Sequence, residues 1–309
     1  MFKTFSALAA ALALSPAPTA PAPPVPDRAE AVPLRSDPIQ RFTVPIEIGR
    51  GTYRFMVDTG AERSGIATEI ARSLRLGPAA TESVTGFAGT SLVPSVALPP
   101  VRFAKTRRDD LRALTFPYEA IGADGFLGLD ALKGQTVDFD FAGRQMRVRK
   151  GSPYIPPWRN AGPIEVASIK QRNGRLIFTE VRANRIRVQA LLDTGSSISV
   201  GNEALRRELW RRRALQPGIP IHIIAVTGAV VPAEYVVIPD VIIGGARIQN
   251  LPVAFSSFEL FGRIGMGEKP ALVLGMDALR AFDQVSIDFA NRQVRFIRAE
   301  ASESYWRVS

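Results

Sequence analysis

Cysteine is absent from the sequence, and histidine occurs once, at His222. The absence of cysteine excludes disulfides, thiolate metal ligands, a cysteine nucleophile and a lipid-modified N-terminal cysteine. One histidine without cysteine offers no plausible zinc ligand set, so we predict no metal ion. A Ser-His-Asp hydrolase would depend on His222, which lies in the strand-like run "IPIHIIAV" without a nucleophile-elbow pattern. We therefore interpret His222 as an ordinary strand residue.

Long apolar runs are also lacking, because no stretch beyond the N-terminal region approaches the roughly 20 residues that cross a bilayer. The N-terminal stretch "MFKTFSALAAALALSPAPTAPAPPVPD" has one lysine and then a short apolar run, which is typical of a secretory signal. We predict a signal-like segment over 1–22 and a Pro/Ala-rich tether over 23–39. Export to a bacterial periplasm or cell envelope is expected, with the signal-like segment either cleaved or retained as an anchor.

The formal net charge of +10 raises the question of a nucleic-acid partner. Arginine is concentrated in one place, "LRRELWRRRAL" at 205–215, which has one aromatic residue, Trp210, rather than an interleaved series that could stack on bases. We predict a solvated basic helix there and no nucleic-acid partner, with peripheral contact with an anionic envelope surface as the alternative. The stretches "GRGTYR" and "GMGEKP" lack the third glycine of a dinucleotide loop, so no cofactor is predicted.

What the sequence does contain is a repeat. The stretches "FMVDTGAERSG" (55–65) and "ALLDTGSSISV" (190–200) each place apolar residues directly before Asp-Thr-Gly. Each motif closes a stretch that reads as two short strands joined by a turn, "IEIGRGTYRFMVDTG" (46–60) and "VRANRIRVQALLDTG" (181–195). One isolated Asp-Thr-Gly would be an ordinary turn. Two copies at the end of matching hairpins indicate a functional pair.

A second match follows further downstream, where 124–150 and 271–299 both give Leu-Gly-x-Asp-Ala-Leu and then Asp-Phe-Ala-x-Arg-Gln. The two halves are therefore predicted to be copies of one mainly β lobe, related by a pseudo-two-fold axis. Short helices are predicted over 66–76 and 202–215. The predicted divisions are an N-terminal lobe over 40–150, a linker over 151–163, a C-terminal lobe over 164–298 and a tail over 299–309.

Asp58 and Asp193, delivered by equivalent loops, are predicted to meet across this axis. Two carboxylates at hydrogen-bonding distance share one proton, so one is a base and the other an acid. A water held between them can then attack a carbonyl without a metal or a covalent intermediate. Thr59 and Thr194 can hydrogen-bond across the axis. The tight backbone path that brings the carboxylates close is expected to require Gly60 and Gly195.

The sequence here resembles the retropepsin-like and pepsin-like aspartic proteases over nearly the whole chain after residue 40. Each half has apolar-apolar-Asp-Thr-Gly followed by Ala61 or Ser196, and later an apolar-apolar-Gly element at 126–128 or 273–275. The resemblance implies an acid-protease-like β fold and a strand lying against each aspartate loop. It also implies peptide-bond hydrolysis, with a protein or peptide as substrate.

The resemblance also implies a flap, a hairpin that closes over the substrate. The candidates are "VTGFAGTSL" (84–92) and "IAVTGAVVP" (224–232), each with glycine near its tip. The predicted flap and substrate-binding residues are Gly86, Phe87, Gly89, Thr227 and Gly228. Glu62 is a predicted subsite residue, because retroviral members of the family place a substrate-contacting acid at the matching position.

Two other functions remain open at this stage. A catalytically inert protein with the protease fold could bind partners as a scaffold in the cell envelope. A glycosidase with paired carboxylates is the other alternative, which the repeated Asp-Thr-Gly disfavours. Because one chain carries both motifs, we expect a monomer to be sufficient for activity.

Overall fold

The computed structural model describes residues 30–33, 35–36, 42–150, 164–172 and 175–297. The segments predicted as signal (1–22), linker (151–163) and tail (299–309) lie outside these described residues. Part of the predicted tether is described, and it forms two short strands, β1 (Glu30–Pro33) and β2 (Arg35–Ser36).

The rest of the N-terminal lobe consists of strands with three short helices. In chain order these are β3 (Phe42–Ile48), β4 (Gly51–Val57), β5 (Gly65–Ala67), α1 (Thr68–Ser73), β6 (Pro78–Gly86), β7 (Gly89–Ala97), β8 (Val101–Phe103), β9 (Thr106–Arg108), β10 (Arg112–Phe116), α2 (Tyr118–Ile121), β11 (Gly125–Leu127), α3 (Leu129–Leu132), β12 (Gln135–Asp140) and β13 (Gln145–Lys150).

The C-terminal lobe repeats this arrangement. Its elements are β14 (Ile164–Arg172), β15 (Arg175–Ala183), β16 (Ile186–Leu192), β17 (Ser199–Gly201), α4 (Glu203–Arg211), β18 (Ile219–Ile224), β19 (Val230–Ile243), β20 (Ala246–Phe255), α5 (Glu259–Arg263), β21 (Ala271–Leu274), α6 (Met276–Leu279), β22 (Gln284–Asp288) and β23 (Gln293–Ile297). The mainly β, two-lobed fold predicted from the sequence is confirmed.

The strands pair into two sheets. One has the order β6-β7-β10-β5-β11-β4-β3-β8-β9, with β2 paired to β3. The other runs β1-β13-β12-β22-β23-β14-β15-β16-β21-β17-β20-β19-β18 and so joins the two lobes. The lobes meet where β12 pairs with β22 antiparallel, with Val137 opposite Ile287 and Asp138 opposite Ser286. This pairing lies on the pseudo-two-fold axis, because β12 and β22 are equivalent strands of the two halves.

The hairpins that lead to the two Asp-Thr-Gly motifs form as predicted. In β3 the sequence alternates and so does burial, with Val44, Ile46 and Ile48 buried. Its turn into β4 uses Gly49 at φ 61°, a left-handed conformation that glycine adopts without strain. The equivalent turn between β15 and β16 places Asn184 and Arg185 at φ 47° and 68°.

The two predicted helices exist but are shorter than expected. Residues 65–67 and 199–201, at or just before the predicted helix starts, form the buried strands β5 and β17, and α1 and α4 begin after them. Strand β5 pairs with β10 and β11, while β17 pairs with β20 and β21. Tertiary pairing therefore overrides the helical pattern predicted for residues 66–67, whereas residues 199–201 precede the second predicted helix.

Candidate active site

Both Asp-Thr-Gly motifs begin where a buried strand ends. Asp58 follows β4 and Asp193 follows β16, and each of these strands runs parallel to a second strand, β11 or β21. The backbone N–H of Asp58 donates to the carbonyl of Leu127 at 2.9 Å, and that of Asp193 donates to the carbonyl of Leu274 at 3.0 Å. The apolar-apolar-Gly elements therefore lie against the aspartate loops, as the family resemblance implied.

The two loops are joined across the axis by their threonines. The N–H of Thr59 donates to Oγ1 of Thr194 at 3.1 Å, and the N–H of Thr194 donates to Oγ1 of Thr59 at 3.1 Å. Each hydroxyl also donates to a carbonyl of the other lobe, Thr59 to Leu192 at 2.9 Å and Thr194 to Val57 at 2.6 Å. Both threonines are buried, so solvent does not compete for these bonds.

The carboxyl groups are held by the amides that follow them. Oδ1 of Asp58 accepts from the N–H groups of Gly60 and Ala61 at 2.8 and 3.0 Å. Oδ1 of Asp193 accepts in the same way from Gly195 and Ser196, at 2.9 and 3.2 Å. The same oxygen of each carboxyl group is thus fixed by two backbone donors.

The carboxyl groups of Asp58 and Asp193 face each other, close enough for the charge of Asp193 and a hydrogen bond with it to raise the pKa of Asp58. A Cβ placed on Gly60 would lie 2.6 Å from Oδ1 of Asp193, and one on Gly195 would lie 2.6 Å from Oδ1 of Asp58. Each glycine therefore faces the carboxyl group of the opposite lobe. Any side chain at either position would displace that carboxyl group.

Burial and the neighbouring charge govern the protonation of this pair. Burial first, and then the charge of Asp193, raises the pKa of Asp58 to about 8. The amides of Gly60 and Ala61 act in the opposite direction, because they stabilise the ionised form. The pair consequently holds one proton at neutral pH.

A second layer of hydrogen bonds, which the sequence analysis did not assign, supports each aspartate loop. Ser64 donates through its hydroxyl and its N–H to the two carboxylate oxygens of Asp130, at 2.7 and 3.1 Å. The hydroxyl of Ser64 also accepts from the N–H of Gly128 at 3.1 Å. The sequence did show the repeated Leu-Gly-x-Asp element, and Asp130, which accepts these bonds, is the aspartate of its first copy.

The second lobe repeats this layer with a different electrostatic setting. Ser199 donates to both carboxylate oxygens of Asp277, at 2.7 and 2.8 Å. Burial raises the pKa of Asp277 to about 6, although the hydrogen bonds from Ser199 oppose the rise. In the first lobe Arg63 lies 4.0 Å from Asp130, whereas Ile198 occupies the matching position of the second lobe.

Both flap candidates are hairpins. Strands β6 and β7 pair up to Gly86 and Gly89, so the tip consists of Phe87 and Ala88. In the other hairpin Ile224 of β18 pairs with Val230 of β19. The intervening turn is closed by the N–H of Ala225 donating to the carbonyl of Ala229 at 2.8 Å.

The remaining residues predicted from the sequence lie in the second hairpin tip, in the first aspartate loop and in β18. Thr227 and Gly228 sit in the tip of the second hairpin. Glu62 is exposed and follows Ala61 in the first aspartate loop, so its subsite role stays a prediction. His222 is an exposed residue of β18. Within the described residues, no group of three or more metal-ligating side chains is found.

A cavity of about 430 Å³ lies on the second lobe, between the start of α4 and α5, and not over the carboxyl pair. It is bordered by Asn202, Phe258 and Glu259 among others. The amide of Asn202 donates to the carbonyls of Met266 and Lys269, so this side chain already has partners within the fold. We assign no chemistry to this cavity.

Paired aspartates at the junction of two equivalent β lobes define an aspartic-protease type of site. A family model described as aspartyl protease matches residues 44–131 and 179–278, more than half of the chain. The chain belongs to this aspartyl protease family, within the retropepsin-like clan. One matched range contains Asp58 and the other Asp193, so each lobe matches by itself. The comparison with curated proteins finds no match.

Proposed function

We propose that the protein is an endopeptidase that cleaves peptide bonds with a water activated between Asp58 and Asp193. Family membership supports a protease-type hydrolase in general terms. The observation that supports the finer assignment is the direct contact of two carboxyl groups, that of Asp193 buried and that of Asp58 partly buried, each held by two amides. A scaffold would gain nothing from this arrangement, since holding two carboxyl groups side by side away from water lowers stability.

In the proposed mechanism Asp58 carries the shared proton at neutral pH and Asp193 is ionised. Asp193 accepts a proton from the water as that water attacks the peptide carbonyl carbon. Asp58 donates its proton to the carbonyl oxygen, which gives a neutral tetrahedral diol. As the diol collapses and the C–N bond breaks, Asp58 takes back the proton of one diol hydroxyl and Asp193 donates its proton to the leaving amine nitrogen, so that the pair returns to its starting state.

The supporting residues keep this geometry fixed while protons move. The exchanged bonds of Thr59 and Thr194 hold the two loops at a constant separation. The hydrogen bonds from Ser64 to Asp130 and from Ser199 to Asp277 fix each aspartate loop to the helix that follows its neighbouring strand. Positioning of this kind lowers the barrier, because the reacting groups need not reorganise during the reaction.

We also propose that the protein is exported to the cell envelope and acts there on proteins or peptides as a monomer. The N-terminal apolar run and the presence of both motifs in one chain support these proposals. Within the described residues no helix is long and apolar enough to span a membrane.

The test uses Asp58→Asn and Asp193→Asn, because asparagine has nearly the shape of aspartate but does not ionise. Purified wild-type protein is expected to cleave a proteome-derived peptide mixture, and each variant is expected to lose cleavage. The double variant should be no worse than either single one, since the pair acts as one unit. Equal cleavage by wild type and by either folded variant would refute the assignment. A wild-type protein that binds peptides without cleaving them would favour the scaffold.

A further inference from the structure

The tip of the β6–β7 hairpin belongs to the first lobe but packs on the second. The ring of Phe87 lies 5.3 Å from the ring of Phe258, centroid to centroid, with the planes at 55°. Phe258 in turn lies 6.3 Å from Phe261. Phe87 is thereby packed against the apolar cluster that β16, β17, β20, β21 and α5 build in the second lobe.

The backbone of the same tip also approaches the second lobe closely. Gly89 has φ 116° and is buried, and a Cβ at this position would lie 3.2 Å from the carboxylate of Glu259. Glu259 is the first residue of α5 and follows Phe258 directly. The tip is therefore seated on one short segment of the opposite lobe by both a ring and a backbone contact.

The tip of the β18–β19 hairpin makes the reciprocal contact with a smaller side chain. Val226 packs against an apolar cluster of the first lobe that includes Met56, Phe116 and Phe126. Near this tip Ile224 and Val230 are 68% and 59% exposed. A valine buries less apolar area than a phenylalanine, and it lacks the additional aromatic contact energy of a ring pair.

We propose that Phe87 and Phe258 form a latch between the lobes that keeps the β6–β7 hairpin closed, and that substrate enters by displacing the β18–β19 tip. Asp193 is only 9% exposed and Asp58 is partly buried, so a peptide chain contacts both carboxyl groups after one tip has moved. Displacing the β18–β19 tip costs less free energy, because Val226 buries less apolar area than Phe87. The latch stands on the structure alone, whereas the entry route rests on the proposed function.

The absence of cysteine from the sequence makes a site-specific distance measurement possible. Nitroxide labels on Ala88→Cys and Lys269→Cys report the β6–β7 tip against the second lobe. Labels on Ala229→Cys and Glu119→Cys report the β18–β19 tip against the first lobe. All four positions are exposed, and pulsed electron resonance gives the distance distribution of each pair.

The first pair is expected to give one narrow distance distribution. The second pair should show a second peak at longer distance, and the fraction of molecules in that peak should be roughly tenfold greater than the fraction at long distance in the first pair. Phe87→Ala should broaden the first distribution and leave the second unchanged. Phe258→Leu, which removes the ring and keeps an apolar side chain, should act in the same direction. Leu92→Ala is the matched control, because Leu92 lies on the same hairpin and is 76% exposed. It should change neither distribution.

Equal widths for the two pairs, or a narrow first distribution in Phe87→Ala, would overturn the latch. Broadening of both pairs in Phe87→Ala would show that the tips move together, which contradicts a separate entry hairpin. A statine-containing peptide should collapse the second distribution to its short distance, and a shift of the first pair instead would reverse the entry route. If neither pair responds to it and the wild-type protein cleaves no peptide, the proposed function fails while the latch stands.

Discussion

Thr59 and Thr194 exchange hydrogen bonds between the two lobes, each amide donating to the hydroxyl oxygen of the other residue at 3.1 Å. Because each hydroxyl also donates to a carbonyl of the opposite lobe, four bonds connect the aspartate loops within a buried region. The separation of the carboxyl groups of Asp58 and Asp193 therefore depends on these two side chains.

The first prediction removes one of these hydroxyls. Thr194→Val leaves the buried amide of Thr59 without its acceptor, so we expect a loss of about 1–3 kcal/mol in the free energy of unfolding. Peptide hydrolysis should fall by about tenfold or more, because the loops lose their fixed separation. Urea unfolding and turnover measure the two effects. Thr194→Ser keeps the hydroxyl and should lose distinctly less of both, and a serine variant as impaired as the valine variant would contradict the role given to the hydroxyl.

The second prediction concerns the pH dependence of the proposed hydrolysis. The pKa of Asp58 is raised to about 8, so the pair holds its shared proton below that pH and becomes doubly ionised above it. Activity is expected to fall as the pH rises through about 8, because the acid of the mechanism is then lost. Initial rates over a pH series at saturating peptide measure this. Activity that stays constant to pH 10 in folded protein would contradict the assignment of Asp58 as the acid.

The third prediction follows from the same pKa but needs no substrate. The folded-state pKa of Asp58 lies above the unfolded value of 3.8, so the folded state binds this proton more tightly. The contribution of this group to stability is therefore present at acid pH and is lost as the pH rises from 3.8 to about 8.

Asp58→Asn lacks this titration, so its unfolding free energy relative to wild type should rise across that pH range. The expected gain near pH 8 is about 1–3 kcal/mol once solvent screening is allowed for. Thermal unfolding at several pH values measures it. A difference between the two proteins that does not change with pH would mean that Asp58 is not held protonated by its surroundings.

The fourth prediction tests the close approach of each glycine to the opposite carboxyl group. Gly60→Ala would bring a Cβ within 2.6 Å of Oδ1 of Asp193, so that carboxyl group has to move. Hydrolysis should fall by about a hundredfold, since displacements of this size disrupt reacting geometry. Gly77→Ala is the control, because nothing lies within 4 Å of a Cβ there. If the two alanine variants are equally active, the approach is not required for function.

The paired aspartates and the duplicated hairpins could be predicted because they depend on local sequence. An apolar strand that ends in Asp-Thr-Gly looks the same in both halves, and the Leu-Gly-x-Asp elements mark the strands beside them. The two flap candidates came from the family resemblance, and glycine near each tip indicated where along the chain they lie.

Other features could not be predicted because they arise from contacts between distant segments. Residues 66–67 were predicted as the start of a helix but belong to strand β5, since they pair with β10 and β11 on either side. The bonds between Ser64 and Asp130 span 66 residues. The contact of Phe87 with Phe258 joins two lobes, and no local pattern indicates which ring a hairpin tip will meet.

The two halves that pair through β12 and β22 belong to one polypeptide. This affects how substitutions can accumulate in the two halves of the site. In a site built from two identical subunits every substitution occurs twice, so its halves always carry the same residues. Here a single codon change alters one half alone. Arg63 near Asp130 and Ile198 near Asp277, or Phe87 on one tip and Val226 on the other, are differences that an identical pair of subunits could not carry. The covalent link frees each half to be adjusted separately while the carboxyl pair between them stays the same.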